Sequence, residues 1–218
     1  MMILRNLSLM SNKIKSIVCI YTEGATDKVF YDRLLDFIKT KSNNNRFIVD
    51  EIKKINIAGI ANFKKKLLSK FKKEINVKKF KSYKKIVVLC YDKDVFNLVN
   101  QTPPIDRKQL EKELKDNGAD EVIHLVAKNS IEDVFLIDID SIIKELKITN
   151  CNTSKLTGSG YQKLKTLYGK VNKIYYKGAN VEPFVNKLDI GKICNSQCEI
   201  YCKLCLVLLG NKGCTKQS

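Results

Sequence analysis

Residues 85–91 read KIVVLCY, and every position from Ile86 to Tyr91 is uncharged and largely apolar. A strand with one face in water alternates apolar and polar residues. An unbroken run of this kind reads as a strand covered on both faces, as in a parallel sheet. Working outward, Ser16–Thr22 (SIVCIYT) is a second strand and Glu121–Ala127 (EVIHLVA) a third. Weaker strand signals lie within Phe47–Ala58, clearest over Lys54–Ala58, and over Lys173–Tyr176. Between the strands the spacing turns helical. Val29, Phe30, Leu34, Leu35, Phe37 and Ile38 stripe Ala25–Thr40, and Phe63, Leu67, Leu68 and Phe71 stripe Ile60–Ile75. Asp106–Asp116 is expected as a helix stopped by Asn117-Gly118. Ile131–Leu146 is expected to be helical at least in its second half. Ser154–Tyr168 holds a turn at Gly158-Ser159-Gly160 and a short helix, and Pro183–Leu188 and Lys192–Leu209 read as closing helices. Strands alternating with helices at this spacing predict an α/β fold with a mostly parallel sheet. In such sheets ligands sit beyond the carboxyl ends of the strands.

The chain has 218 residues, enough for one substantial domain, and an apolar fraction of 44% excludes wholesale disorder. No apolar run approaches the roughly 20 residues of a membrane-spanning helix. Met1–Met10 lacks the long apolar centre and small-residue cleavage site of a secretory signal, so a cytoplasmic chain without a membrane partner is expected. Forty Lys and Arg against 23 Asp and Glu give a net charge of +17, which favours polyanions and nucleic acid first. Arg is confined to Arg5, Arg33, Arg46 and Arg107. The rest is Lys, which suits phosphate contact better than base reading. The charge is also unevenly placed. Residues 53–85 carry 13 Lys against Glu74 alone, whereas residues 86–150 carry 8 basic and 13 acidic groups. Lys64, Lys65, Lys66, Lys72 and Lys73 lie on the outer side of the Ile60–Ile75 stripe and are the candidate nucleic-acid contacts.

The chemistry-bearing residues fall at strand ends. Glu23-Gly24 follows the first strand, and Asp92 and Asp94 follow Lys85–Tyr91. Residues two apart on extended chain point the same way, so Asp92 and Asp94 can share one space. Carboxylates gathered at one sheet edge repel unless a cation joins them, and hard oxygen ligands suit Mg²⁺ or Mn²⁺. Taken singly, each has a plainer reading: Glu23 as a solvated turn residue, Asp27 as a favourable charge at a helix start.

The run Tyr21-Thr22-Glu23-Gly24-Ala25-Thr26-Asp27-Lys28-Val29-Phe30-Tyr31, with Cys90-Tyr91-Asp92-Lys93-Asp94 after it, resembles a TOPRIM domain. This is the metal-binding α/β module of topoisomerases, bacterial primases, the 5S ribosomal RNA maturase and overcoming-lysogenization-defect nucleases. The E-G-x-x-D-x-x-F-Y form is most similar to the small TOPRIM nucleases of bacterial anti-phage systems. The resemblance implies a Rossmann-like fold over residues 16–178, after an extension of residues 1–15 and before a C-terminal helical segment of residues 179–218. It implies Glu23 as metal ligand or general base, Asp92 and Asp94 as the metal-binding pair, and Glu132, with Asp133 next, as the further acid. Lys177 matches a late lysine near the metals. The implied activity is Mg²⁺- or Mn²⁺-dependent endonucleolytic cleavage of DNA or RNA by an anti-phage or toxin-like effector. A separately encoded ATPase is the implied regulatory partner. The reading from the residues alone keeps a second possibility open, a non-catalytic basic module that binds nucleic acid.

Other signals carry less. Cys194, Cys198, Cys202 and Cys205 fall largely on one helix face. One straight helix cannot wrap four thiolates around a tetrahedral ion, so apolar packing is expected ahead of a metal or subunit contact. The closing helix is expected on its own domain or on a second subunit of a homodimer. His124, the one histidine, lies in a strand and reads as packed or solvent-facing rather than as a ligand. Gly158-Ser159-Gly160 lacks the Gly-Lys-Ser/Thr of a phosphate loop.

Overall fold

The computed structural model describes residues 14–42, 44, 46–59, 61–93, 106–178 and 181–210. Four parallel strands form one sheet: β1 (Ser16–Thr22), β2 (Glu51–Asn56), β3 (Lys84–Asp92) and β4 (Glu121–Ala127). Their spatial order is β2-β1-β3-β4. The fold is α/β and Rossmann-like, as the apolar run at Lys85–Tyr91 predicts. β3 is central and is buried at every position after Lys84.

Strand parity divides the core in two. Val18, Ile20, Ile86, Val88 and Cys90 face a layer that begins with α1 (Ala25–Thr40), through Phe30, Leu34 and Ile38. Ile17, Cys19, Tyr21, Val87, Leu89 and Tyr91 face the opposite layer. There α2 (Ala61–Glu74) presents Phe63, Leu67 and Phe71, four residues apart, and α3 (Arg107–Asp116) presents Leu110 and Leu114. The first connection runs outward to β2 and the next two run the other way. Right-handed crossovers therefore put α1 on one face and α2 and α3 on the other. Asp106 caps α3 by accepting the Gln109 N–H at 3.1 Å, and the chain leaves that helix through Gly118 at φ +96°.

The Ile131–Leu146 segment is broken rather than continuous. α4 (Ile131–Phe135) and α5 (Ile139–Glu145) flank a single 3₁₀ turn at Leu136–Asp138. α6 (Gly160–Gly169), α7 (Glu182–Val185), α8 (Ile190–Ser196) and α9 (Cys198–Leu209) complete the α1 layer. Phe184, Val185, Ile193, Tyr201, Leu204 and Leu208 join the same buried cluster as Val18 and Phe30, so the closing helices pack on this chain's own sheet.

Two sequence expectations are corrected. β2 spans Glu51–Asn56 rather than Lys54–Ala58. It is an edge strand with only Ile55 buried, so its apolar pattern marks the bounds poorly. Lys173–Tyr176 is not a strand. It alternates as one, with Tyr175 buried and Ile174 and Tyr176 exposed. Yet it joins no strand of the sheet, and it docks through the Tyr175 ring, which meets Tyr161, Tyr168 and Phe184 at 5.3–6.4 Å.

Candidate functional site

Because β1 leads outward to β2 while β3 and β4 lie on its other side, the chain reverses direction between β1 and β3. Crevices in open parallel sheets form at that point, beyond the carboxyl ends of the strands. Glu23 and Asp92 stand on its two sides. The Glu23 N–H reaches the Cys90 carbonyl at 3.1 Å, and the Asp92 N–H donates to Glu23 Oε2 at 3.3 Å. Asp92 follows Ile86, Val88 and Cys90 in the even series, so its side chain turns toward the α1 layer. There Oδ1 accepts the Ile131 N–H at 2.8 Å, which fixes the start of α4 against the end of β3.

That contact brings in Glu132, in the first turn of α4 and fully buried. Tyr175 donates its O–H to Glu132 Oε1 at 3.2 Å. Burial first, and then the Glu132 charge, push the Tyr175 phenol far above its usual range, so it remains a donor. Lys177, two residues on, places Nζ 3.0 Å from Asp92 Oδ2 and 3.9 Å from Glu132 Oε2. The Gly178 N–H donates to Thr26 Oγ1 at 2.7 Å, which pins this segment to the first turn of α1. Asp92 and Glu132 are at most 2% exposed while the Lys177 side chain is 47% exposed, so the ammonium closes the cluster on its solvent side.

Of the residues expected at the site, Glu23, Asp92, Glu132 and Lys177 therefore meet at one sheet edge. Asp94 lies outside the described residues. Asp133 turns aside and accepts the Ser130 hydroxyl at 3.0 Å. Lys65, Lys66, Lys72 and Lys73 are exposed on α2, as the stripe predicts, and the Lys64 side chain lies outside the described residues. Among the described residues, no three His, Cys, Asp or Glu side chains form a group that could hold a metal ion. Cys194, Cys198, Cys202 and Cys205 are half-buried and form no disulfide among the described residues, and burial pushes Cys194 up to about 12, as apolar packing would have it. His124 meets the Tyr91 hydroxyl at 2.8 Å through Nδ1, and burial lowers its pKa.

No family model, curated protein or solved structure matches the chain. Its site is therefore read from its own geometry.

Sequence reasoning undervalued three residues here: Asp27, Thr26 and Tyr175. Asp27 is more than a charge at a helix start: it is 4% exposed, and it accepts the Gly24 N–H at 3.1 Å. Burial, then the charges of Asp92 and Glu23, raise its pKa well above the usual carboxylate range, with Lys177 opposing. The signal was its place three residues after Gly24, where a side chain folds back over the turn rather than outward. For Tyr175 the signal was the alternation with Ile174 and Tyr176.

A pH dependence follows. A carboxyl whose folded pKa is raised contributes stability that is present below its unfolded value, near 3.9, and lost as pH rises through the folded value. Asp27→Asn keeps an oxygen for the Gly24 N–H and removes the charge. It is expected to raise the thermal midpoint at pH 7, with the gain shrinking as pH falls toward 4. An unchanged midpoint at pH 7 would rule this out.

Proposed function

We propose that the protein is a metal-dependent phosphodiester hydrolase acting on nucleic acid in the cytoplasm, with Glu23, Asp92, Glu132 and Lys177 as its site. The observation that carries the reading is the convergence of these four residues at the crevice between β1 and β3. Asp92 and Lys177, 85 positions apart in sequence, are 3.0 Å apart in space. The resemblance to small TOPRIM nucleases supports the same residues and extends the reading to an anti-phage or toxin-like effector with a separately encoded ATPase partner.

The donor set fits a small hard cation. It is all carboxylate oxygen, and Glu132 Oε2, fully buried, has no hydrogen-bond partner among the described residues. Glu23, Asp92 and Glu132 do not form an ion site by themselves; together with Asp94, which the resemblance pairs with Asp92, they would hold Mg²⁺ or Mn²⁺. A bound divalent ion supplies Lewis-acid polarisation of the phosphoryl oxygens and a water of lowered pKa. The chain's own residues do the rest. Glu23, the most open of the three described carboxylates, orients the attacking water and accepts its proton. Lys177 offers positive charge to the phosphate oxygens on the solvent side. Tyr175 and the Ile131 amide hold Glu132 and Asp92 in place, so that little reorganisation accompanies the reaction.

One observation favours a second reading. Lys177 already compensates Asp92 and lies near Glu132, an arrangement that a non-catalytic nucleic-acid-binding module would also hold. A titration of Mg²⁺ and Mn²⁺ into the native chain and into Glu23→Gln/Asp92→Asn, with plasmid DNA and total tRNA, separates the two. Metal-dependent cleavage by the native chain, abolished in the double variant, is the expected result. Metal-independent binding that is identical in both proteins, without cleavage, would establish the binding module instead.

A further inference from the structure

Beside the carboxylates lies a cleft of about 650 Å³ whose lining includes Lys93, Arg107 and Lys128, with Glu199 the one acidic residue among the described lining. Its position is fixed by the sheet register. Asp92 of β3 is paired with Ala127 of β4, and Lys93 and Lys128 are the next residue on each strand. The Lys93 N–H donates to the Ala127 carbonyl at 3.2 Å, so both lysines leave the sheet at the level of Asp92. Arg107 lies over the Tyr91 ring, 5.6 Å from its centroid, one residue before Asp92. All three cations are exposed. The far wall is the junction of α8 and α9, where Asn195, Ser196 and Gln197 offer neutral polar groups.

The lysines of α2 are placed differently. α2 starts beside the site, where the Gly59 N–H meets the Glu23 carbonyl at 2.7 Å. It then runs toward the amino end of the sheet, where Asn76 donates to the Asn117 carbonyl at 2.8 Å. At 1.5 Å per residue, Lys72 and Lys73 lie on the order of 15 Å further from the carboxylates than Ala61.

We infer that the cleft lined by Lys93, Arg107 and Lys128 is the seat of the nucleic-acid backbone next to the carboxylate site. It takes phosphodiester oxygens, and α2 is a secondary surface. The inference rests on the phosphodiester reading above and adds where the polyanion lies. Two lysines suit phosphate as point charges, and Arg107 adds a planar fork stiffened by its ring contact.

The test is fluorescence anisotropy on the full chain with a short labelled DNA duplex and, in a parallel arm, labelled tRNA, with chelator present to prevent cleavage. Each is measured across a salt series. For duplex DNA each neutralised phosphate contributes about 0.9 to the slope of log affinity against log salt, so Lys93→Gln/Arg107→Gln/Lys128→Gln should lower that slope by roughly 2.7. For single-stranded segments of tRNA the loss is about 0.7 per contact. Lys65→Gln/Lys72→Gln/Lys73→Gln, on the secondary surface, should lower the slope by less than half as much, and Arg107→Lys alone should keep it. The probe that shows the loss identifies the source of the phosphates. An unchanged slope in the cleft variant, or equal losses in the two triple variants, overturns the inference and leaves the hydrolase reading standing. Absence of binding by the native chain to either probe overturns that reading itself.

Discussion

Replacing Lys177 by Met is expected to lower the unfolding free energy by about 2–3 kcal/mol. Removing one partner of a buried ion pair costs about 3–5 kcal/mol, and the half-exposed ammonium here is partly screened by water, which brings the cost below that range. The cost comes from what remains. Asp92 and Glu132 are at most 2% exposed, and the Lys177 ammonium lies against both. Without it, two buried carboxylates at the start of α4 lose the positive charge that lies against both. A Glu132→Gln change in the Lys177→Met background should recover a large part of the loss, because the amide keeps an oxygen for the Tyr175 hydroxyl and removes one charge. Urea unfolding of the native chain, both single variants and the double variant measures the coupling. Strict additivity, or a native midpoint for Lys177→Met, would show that the ammonium does not hold the cluster together.

How much of this was legible in the sequence depends on the kind of contact. The sheet was legible because Ile86–Tyr91 is apolar on both faces, and burial on both faces is what a central parallel strand requires. Glu23 and Asp92 were legible because a charge directly after a buried strand falls at the carboxyl edge. Lys177 was reached only through the resemblance, and the strand expected just before it does not form. A segment held by one buried ring and one backbone donor, Tyr175 and Gly178, shows the alternation of a strand without its hydrogen-bond ladder. Period alone cannot tell the two apart. Asp27 has the plain reading of a favourable charge at a helix start, because such charges are common there. The charges that act on it include Asp92 and Lys177, which lie 65 and 150 residues away and enter no local pattern.

Gly160 shows how a distant contact can reverse a local rule. A Gly-to-Ala change in a helix ordinarily stabilises by up to about 1 kcal/mol. Gly160→Ala is expected instead to destabilise by about 1–3 kcal/mol, the usual cost of overpacking. A Cβ there would sit 2.5 Å from the Asp133 backbone nitrogen and 2.8 Å from the Glu132 carbonyl carbon. These are backbone atoms of α4, with no flexible side-chain end to swing aside. Gly169, at the other end of the same helix, has nothing within 4 Å of its added Cβ, so Gly169→Ala should stabilise by about 0.5–1 kcal/mol. The pair of variants holds the helix constant and changes only what the methyl group meets. The reach of Gly160 extends to the site, because the backbone it presses against carries Glu132 and, through the Ile131 amide, Asp92. Forcing α6 away from α4 should therefore loosen the carboxylate cluster, and Lys177→Met should cost less in a Gly160→Ala background than in the native chain. Equal stabilisation by Ala at the two glycines would show that α6 and α4 do not meet at this distance, and would remove α6 as the support of Glu132.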